Sequence, residues 1–469
     1  MRKLSIAALG FAFLLAGCAG LKPDYTKPAV DLPAGWRDAP ADGVKARDAR
    51  WWKVYGDPVL DSLVDEALAH NANVMLAIAR VDEARAALSA TAADQRPQVS
   101  ANASRSRTRA SQRGPTPLPP GADPDFNDTR AALGVSYEID LWGRLRNATL
   151  AARADLLATE AARETVLITL TSDVAQAYFA LRALDGQLAA TRRSLAARGE
   201  ALGMQKRRFE VGDISEFDYR QLEADVAAER ALLPVLELQR AQQENALAVL
   251  LGKSPRAIYE GALEAGSDPE GETVAIVVPA GLPSDLLLRR PDLVQAEQAL
   301  IAANARVAVA RAAYFPTLSL TGFLGSESVA LSDLFTGPTR VWQAALAAGQ
   351  PIYAGGRIDA QVQAAGARER QALAQYQLAI QNAFRDVRDA LVAQAKARER
   401  LEAESERVTA LRTTLRFARL RYQNGMTGQL EVLDAERNLL AAEQNRIDAL
   451  RAQRAAIADL FKALGGVWS

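Results

Sequence analysis

The feature that most constrains this chain is that it says the same thing twice. "RFEVGDISEFDYRQLEAD" from Arg208 and "RYQNGMTGQLEVLDAER" from Arg421 each read as a helix, a tight break at glycine and a second helix. Gly212 and Gly425 lie 213 positions apart (425 − 212), and the same offset relates Phe209 to Tyr422 and Asp218 to Glu431. It also relates Gly143-Arg144 to Gly356-Arg357, Asp173-Val174 to Asp386-Val387, and Leu250–Gly252 to Ala463–Gly465. A register held over so long a span is a duplication, so the two halves share one fold. Upstream, Pro97 faces Pro316 at an offset of 219 (316 − 97). The six-residue difference falls between Pro97 and Gly143 and is expected in a loop.

Each half runs through the same order. A helical segment, roughly 70 to 95 and 291 to 314, ends at a proline. Two stretches of strand character follow. In "TRAALGVSYEIDLW", Leu133, Val135, Tyr137, Ile139 and Leu141 share one face, with Arg130, Ala132, Gly134, Ser136, Glu138 and Asp140 on the other. In "RVWQAALAAGQPIY", Trp342, Ala344, Leu346 and Ala348 share a face; "PQVSANASRSRTRA" and "PTLSLTGFLGSES" carry a weaker strand signal. The segments between them, "SQRGPTPLPPGADPDFND" and "VALSDLFTGP", are rich in turn formers and suit external loops.

Helix then resumes at the Gly-Arg pair. From Arg357 to Asn424 it covers about 68 residues, about 100 Å at the usual rise. Val174, Leu181, Leu188, Leu195, Leu202 and Phe209 recur every seven residues, the coiled-coil period. Val387, Gln394, Leu401, Val408, Leu415 and Tyr422 repeat the seam, with Gln394 the one departure. At the glycines the rod turns back, because glycine supplies the left-handed cap. Ser215 with Asp218 forms a capping box for the returning helix. The second copy has Leu430 three residues after Thr427, so Glu431 in the first turn must serve the helix dipole instead.

The N-terminus says where this architecture works. "MRKLSIAALGFAFLLAGCAG" has two cations, a short apolar run and small residues, the pattern of a secretory signal. Its end, Leu15-Ala16-Gly17-Cys18, resembles a lipobox, making Cys18 the acylated first residue, and Ala19 after it favours the outer membrane. No later run of about 18 apolar residues is long enough for a spanning helix. Any crossing must therefore use strands closed into a barrel, where every backbone polar group is paired. Four strands cannot close one, since about eight is the smallest ring. Two copies would supply 8 strands and three would supply 12. The same alternation also suits a soluble sandwich, and the leader tips the reading toward the membrane.

Other function classes find little support. Lys+Arg and Asp+Glu both count 56, leaving no basic footprint for nucleic acid. Cys18 is the only cysteine and His70 the only histidine. With no second thiol and no phosphate-binding loop, a hydrolase or metalloenzyme reading fares badly, no cofactor is expected, and His70 reads as a polar residue at a helix start.

The order of elements, "LLLRRPDLVQAEQAL" at Leu286, the two glycine turns, "LDAERNLL" at Leu433, the terminal "LFKALGGVW" and the N-terminal "GCAGLKPDYTKPAVDLPAGW" together resemble the outer membrane factor family. This is the TolC-like group, in its lipoprotein branch exemplified by OprM. The resemblance implies a mostly α protein with a membrane β-barrel: a homotrimer with a 12-stranded barrel and an α-helical periplasmic tunnel. It implies an exit duct for a tripartite efflux pump, with a periplasmic adaptor and an inner membrane transporter of the resistance-nodulation-division type as partners. On that pattern residues 1–17 are the signal peptide and 18–65 a lipidated extended segment with part of the equatorial region. Residues 66–252 are the first repeat, 253–285 an equatorial linker and 286–466 the second repeat. The resemblance places a periplasmic gate at Tyr422, Glu431, Asp434 and Asp218, and adaptor contacts at Arg208, Gly212, Asp213, Arg421, Gly425 and Thr427. Thr427 stands where TolC has an arginine. A duct for protein secretion and a non-spanning periplasmic coiled-coil lipoprotein are the alternative readings.

Overall fold

A computed structural model describes residues 25–29, 31, 50–111, 113, 118–119, 121–261 and 290–466. The signal segment, Cys18 and most of the expected linker lie outside the described residues. After a 3-10 turn at Trp51–Tyr55, the elements are α1 (Pro58–His70), α2 (Ala72–Ala93), β1 (Gln98–Arg109), β2 (Asp125–Ile139), α3 (Arg144–Glu210), α4 (Glu216–Leu250) and a short α5 (Pro255–Glu260). The second half supplies α6 (Pro291–Ala312), β3 (Thr317–Ser328), β4 (Arg340–Gly349), α7 (Arg357–Gln423) and α8 (Gln429–Ala463).

The duplication holds to the residue. Helices α3 and α7 are 67 residues each, α4 and α8 are 35 each, and α2 and α6 are 22 each. Both ends of α3 and α4 map onto those of α7 and α8 by the 213-residue offset. At about 1.5 Å per residue the 67-residue helices are about 100 Å long. The six-residue excess of the first half is not in one loop, as the sequence suggested. The β1–β2 connection is longer than its counterpart and β2 has 15 residues against 10 in β4, while the return from β4 to α7 is longer than that from β2 to α3.

The described residues fall into two units. One is made from Arg80–Glu160, Gln295–Gln377 and the described part of Met1–Ala29; it holds the sheet. Its four strands are ordered β1-β2-β3-β4, all antiparallel. Trp142 stacks on Phe315 at 4.7 Å and donates to the Pro316 carbonyl at 2.7 Å, tying the two strand–helix junctions together. Tyr25 and Lys27 of the N-terminal segment both reach Glu297 of α6.

The second unit takes in the described parts of Val30–Ala79, Ala161–Val294 and Leu378–Ser469. The heptad positions behave as a seam: Val174, Leu181 and Leu188, and Val387, Leu401, Val408 and Leu415, are buried, while Leu195, Leu202 and Phe209 are half-buried. Gln394, the polar departure, is half-buried too. Trp51 stacks on Phe461 at 4.9 Å and donates to Thr171, which packs the opening 3-10 turn onto α3 and α8. His70 ends α1 with its ring on the Glu66 carbonyl, so it closes a helix rather than starting one.

Candidate functional site: a two-edged sheet and a polar helical tip

The pairing register sorts the sheet into two unlike faces. Leu133 opposes Leu324, and Leu324 opposes Trp342; Tyr137, Leu320 and Leu346 form a second apolar row, and Ile139, Leu318 and Ala348 a third. Leu133, Leu320, Leu324, Trp342 and Leu346 are all solvent-exposed in the single chain. The opposite face carries Ser136 with Thr321, Glu138 with Ser319, and Arg130 with Glu327. There Arg130 lies 3.9 Å from the Glu327 carboxylate and 4.1 Å from the Phe323 ring centroid. Both faces match the alternation expected in β2, and the apolar face continues onto β3 and β4. Strands β1 and β4 each have a neighbour on one side only. In hydrocarbon such open edges would strand their N–H and C=O groups, so they must find partners.

Inside the sheet, β2 and β3 come so close that a Cβ on Gly325 would sit 2.3 Å from the Ala131 carbonyl oxygen. This is the joint where the first repeat meets the second, and only glycine fits there.

At the far end of the long helices, both hairpins turn by the same device. Gly212 and Gly425 adopt φ of 79° and 70°. Asp213 N–H donates to the Arg208 carbonyl and Met426 N–H to that of Arg421, at 2.8 and 2.9 Å, closing Schellman caps. The returning helices start differently. Ser215 caps α4, its Oγ accepting from Asp218 N–H at 3.1 Å and donating to the Asp218 carboxylate at 2.7 Å. The N-cap of α8 is Gly428, one residue beyond Thr427, and no side chain caps it. Glu431 does occupy the first turn.

The tip residues expected from the sequence separate into groups. Tyr422 Oη accepts from Gln205 at 2.8 Å and from Arg208 at 2.9 Å; Gln205 also donates to Gln429 at 3.1 Å. Arg208 donates to Asp213 at 2.6 Å, and that contact holds its guanidinium pKa above the usual value. One network thus joins the first hairpin to the second. Arg421 and Glu431 are an exposed pair 3.9 Å apart, weak by geometry and screening. Asp434 accepts from Asn438 on its own helix, and Asp218 serves its cap. Thr427 Oγ1 is buried without a hydrogen-bond partner among the described residues. Gln205 and Gln429 were missed by sequence reasoning. Their only signal is divergence between the repeats, since Ala418 stands opposite Gln205 and Glu216 opposite Gln429.

Above this network lies a buried ion pair. Arg198 Nε is 3.1 Å from Glu229 and 3.7 Å from Glu436, with the Arg198 and Glu229 side chains 4% and 3% exposed. Neither that Nε nor either Glu229 oxygen makes a hydrogen bond, so charge alone holds them. Leu433 of α8 packs with Leu222 and Val226 of α4, joining the hairpins by apolar contact as well.

A model of outer membrane efflux proteins matches residues 63–253 and 282–466, nearly all of both repeats. The chain belongs to the outer membrane efflux protein family. It is 33% identical to the probable outer membrane lipoprotein SilC of Salmonella typhimurium, over the full length of both. It is 36% identical to the toluene efflux pump outer membrane protein TtgC of Pseudomonas putida, covering 100% of this chain and 96% of that one. The Campylobacter jejuni CmeC outer membrane channel superposes with a TM-score of 0.90 at 27% identity, covering 96% of this chain and 95% of that one. The Neisseria gonorrhoeae MtrE channel in its open state gives 0.81 at 31% identity, covering 94% and 97%. As a member of this family the chain is an outer membrane channel component of an efflux pump.

Proposed function

We propose that three copies close edge to edge into a 12-stranded barrel in the outer membrane, the long hairpins together forming an α-helical tunnel through the periplasm. The observation that carries this is the four-stranded sheet with one apolar face, one polar face and two unpaired edges. Pairing β4 of one copy with β1 of the next satisfies every edge, and 12 strands leave a water-filled lumen where 8 would fill with side chains. The duct is passive: it takes cargo from an inner membrane transporter of the resistance-nodulation-division type through a periplasmic adaptor. Acylation of Cys18 tethers the N-terminus to lipid. The relatives' names range over cation, solvent and antibiotic efflux at similar identity, which fits cargo chosen upstream of the duct.

The tip is the gate. The Tyr422–Gln205–Arg208 network and the Leu433 contact hold the second hairpin against the first, and the exposed acids Glu431 and Asp434, with Asp218 beside the first turn, line the narrow end. An adaptor docking at Arg208, Gly212, Asp213, Arg421, Gly425 and Thr427 would compete with the Arg208 contacts and release the hairpins. Unheated gels and planar bilayers test the reading together. A heat-modifiable trimer with small, cation-selective closed-state current is expected, and Glu431→Ala with Asp434→Ala should reduce that selectivity. A stable monomer without pore activity overturns the duct; unchanged selectivity in the double variant removes the acids from the gate.

A further inference from the structure

The outer face of the sheet changes character along β1. From the helix-bearing end it presents Val99, Ala101 and Ala103, paired with Val135, Leu133 and Ala131 of the apolar belt. The next three residues on the same face are Arg105, Arg107 and Arg109, opposite Thr129, Asn127 and Asp125. Arg109 pairs with Asp125 at 2.8 Å. Arg105 and Arg107 are exposed and make no hydrogen bond or ion pair with any described residue. Arg340 of β4 lies on the same face but at the opposite edge of the sheet, in the row of Ser326, Ala131 and Ala103. Three cations of β1 therefore meet one acid, Asp125, because Asp128 and Glu327 point to the opposite face.

Position fixes what this stripe meets. All four strand ends that lead to helices, Gln98, Ile139, Thr317 and Gly349, lie at one end of the sheet. The hairpin connections, and the arginines, lie at the other. From Ile139 to Thr129 is ten residues, about 34 Å along a strand and about 26 Å of membrane depth at a tilt near 40°. Arg105 thus begins where the apolar belt of a barrel ends. With the helices on the periplasmic side, the stripe stands at the outer headgroup level. The duplication does not require it: the corresponding positions of β3 are Leu324, Ser326 and Ser328.

We propose that Arg105 and Arg107, flanked by Arg109, form a binding site for the phosphorylated headgroups of outer-leaflet lipopolysaccharide. This rests on the barrel reading above, which decides which face meets lipid. Planar guanidinium groups hold phosphate oxygens in pairs, and two rows about 7 Å apart along β1 can engage the two phosphates of one lipid A.

The test uses the full-length, delipidated protein in non-ionic detergent, titrated with bisphosphorylated and with dephosphorylated lipid A, with an unheated gel run on each sample. The wild type should bind the phosphorylated form about tenfold or more tightly. Each arginine contributes about fivefold, so Arg105→Ser/Arg107→Ser should remove nearly all of that preference, and excess inorganic phosphate should leave binding in place. Equal binding of the two lipid forms by an intact wild-type trimer overturns the site alone, even if the double variant fails to fold. Retained preference in a folded double variant, or displacement by inorganic phosphate, overturns it too. A wild type that runs as monomer overturns the barrel reading and the site with it.

Discussion

The first hairpin buries Arg198 against Glu229 where the second sets Leu411 and the fully buried Ala442 at the equivalent positions. The first stacks Phe209 on Tyr219 at 5.3 Å where the second sends the Tyr422 hydroxyl across to Gln205 and Arg208. Arg220 of the first is exposed among Glu216 and Glu223, while its counterpart Leu433 is buried against the other hairpin. Backbone lengths are identical, so these differences are not needed to make a hairpin. They mark where two copies of one module must meet different neighbours, and polar groups gather where the copies touch.

The joint between the repeats should be the most fragile place to test that idea. Gly325→Val drives a branched side chain into the Ala131 carbonyl and should abolish the heat-resistant oligomer on gels. Ser106→Val, at the matching exposed position of β1, should leave it intact. Next comes the buried pair. Glu229→Ala leaves Arg198 buried beside only Glu436, and should cost about 3–5 kcal/mol in denaturant unfolding. Copying the second hairpin with Arg198→Leu/Glu229→Ala should recover most of it, Glu436 keeping its 2.8 Å contact with Arg419. A double variant as weak as the single would mean that the two hairpins do not share a packing solution.

Smaller effects should follow at the tip. Tyr422→Phe makes the second hairpin resemble the first and removes two hydrogen bonds, about 1 kcal/mol each. Single-channel recording should show an open probability higher by about tenfold, whereas Phe209→Tyr should change it little. The smallest contrast is Asp459, which stands where the first repeat has Ala246. Partial desolvation raises the pKa of its exposed carboxyl above the ordinary value, against a 2.8 Å hydrogen bond from Gln176. The native state therefore holds its proton more tightly, so stability falls as pH rises from the unfolded to the folded pKa and stays lower above it. Asp459→Asn, which keeps an acceptor for Gln176, should raise the melting temperature at neutral pH by about 1 °C. At pH values below the ordinary carboxylate range the gain should vanish.

Much of this fold was legible because it is set by local rules applied twice. The 213-residue offset, the glycine turns and the heptad seam define α3, α4, α7 and α8 almost to the residue. Alternation in β2 and β4 marked the apolar face, and the weak signals of β1 and β3 were real strands. Thr427 resembles a cap by residue type, although Gly428 is the N-cap of α8 and the counterpart of Ser215 by the 213-residue offset. The polar network was only half visible. Tyr422 stood out as an aromatic at a turn, but Gln205 lies 217 residues away, and no local pattern announces a bond across that distance. The arginines of β1 were read only as a weak strand, since their meaning depends on the register that puts them beyond Ala103 on one face.

For the 12-stranded ring proposed above, the pairing of β2 with β3 bears on how quickly closure can occur. Of the four strand junctions per copy that closure requires, three arise as a single polypeptide collapses, at a speed set by loop search and indifferent to dilution. Only the β4-to-β1 contact waits on collision. At low synthesis rates the lone bottleneck of the proposed ring is therefore encounter between chains, each already carrying its own four paired strands.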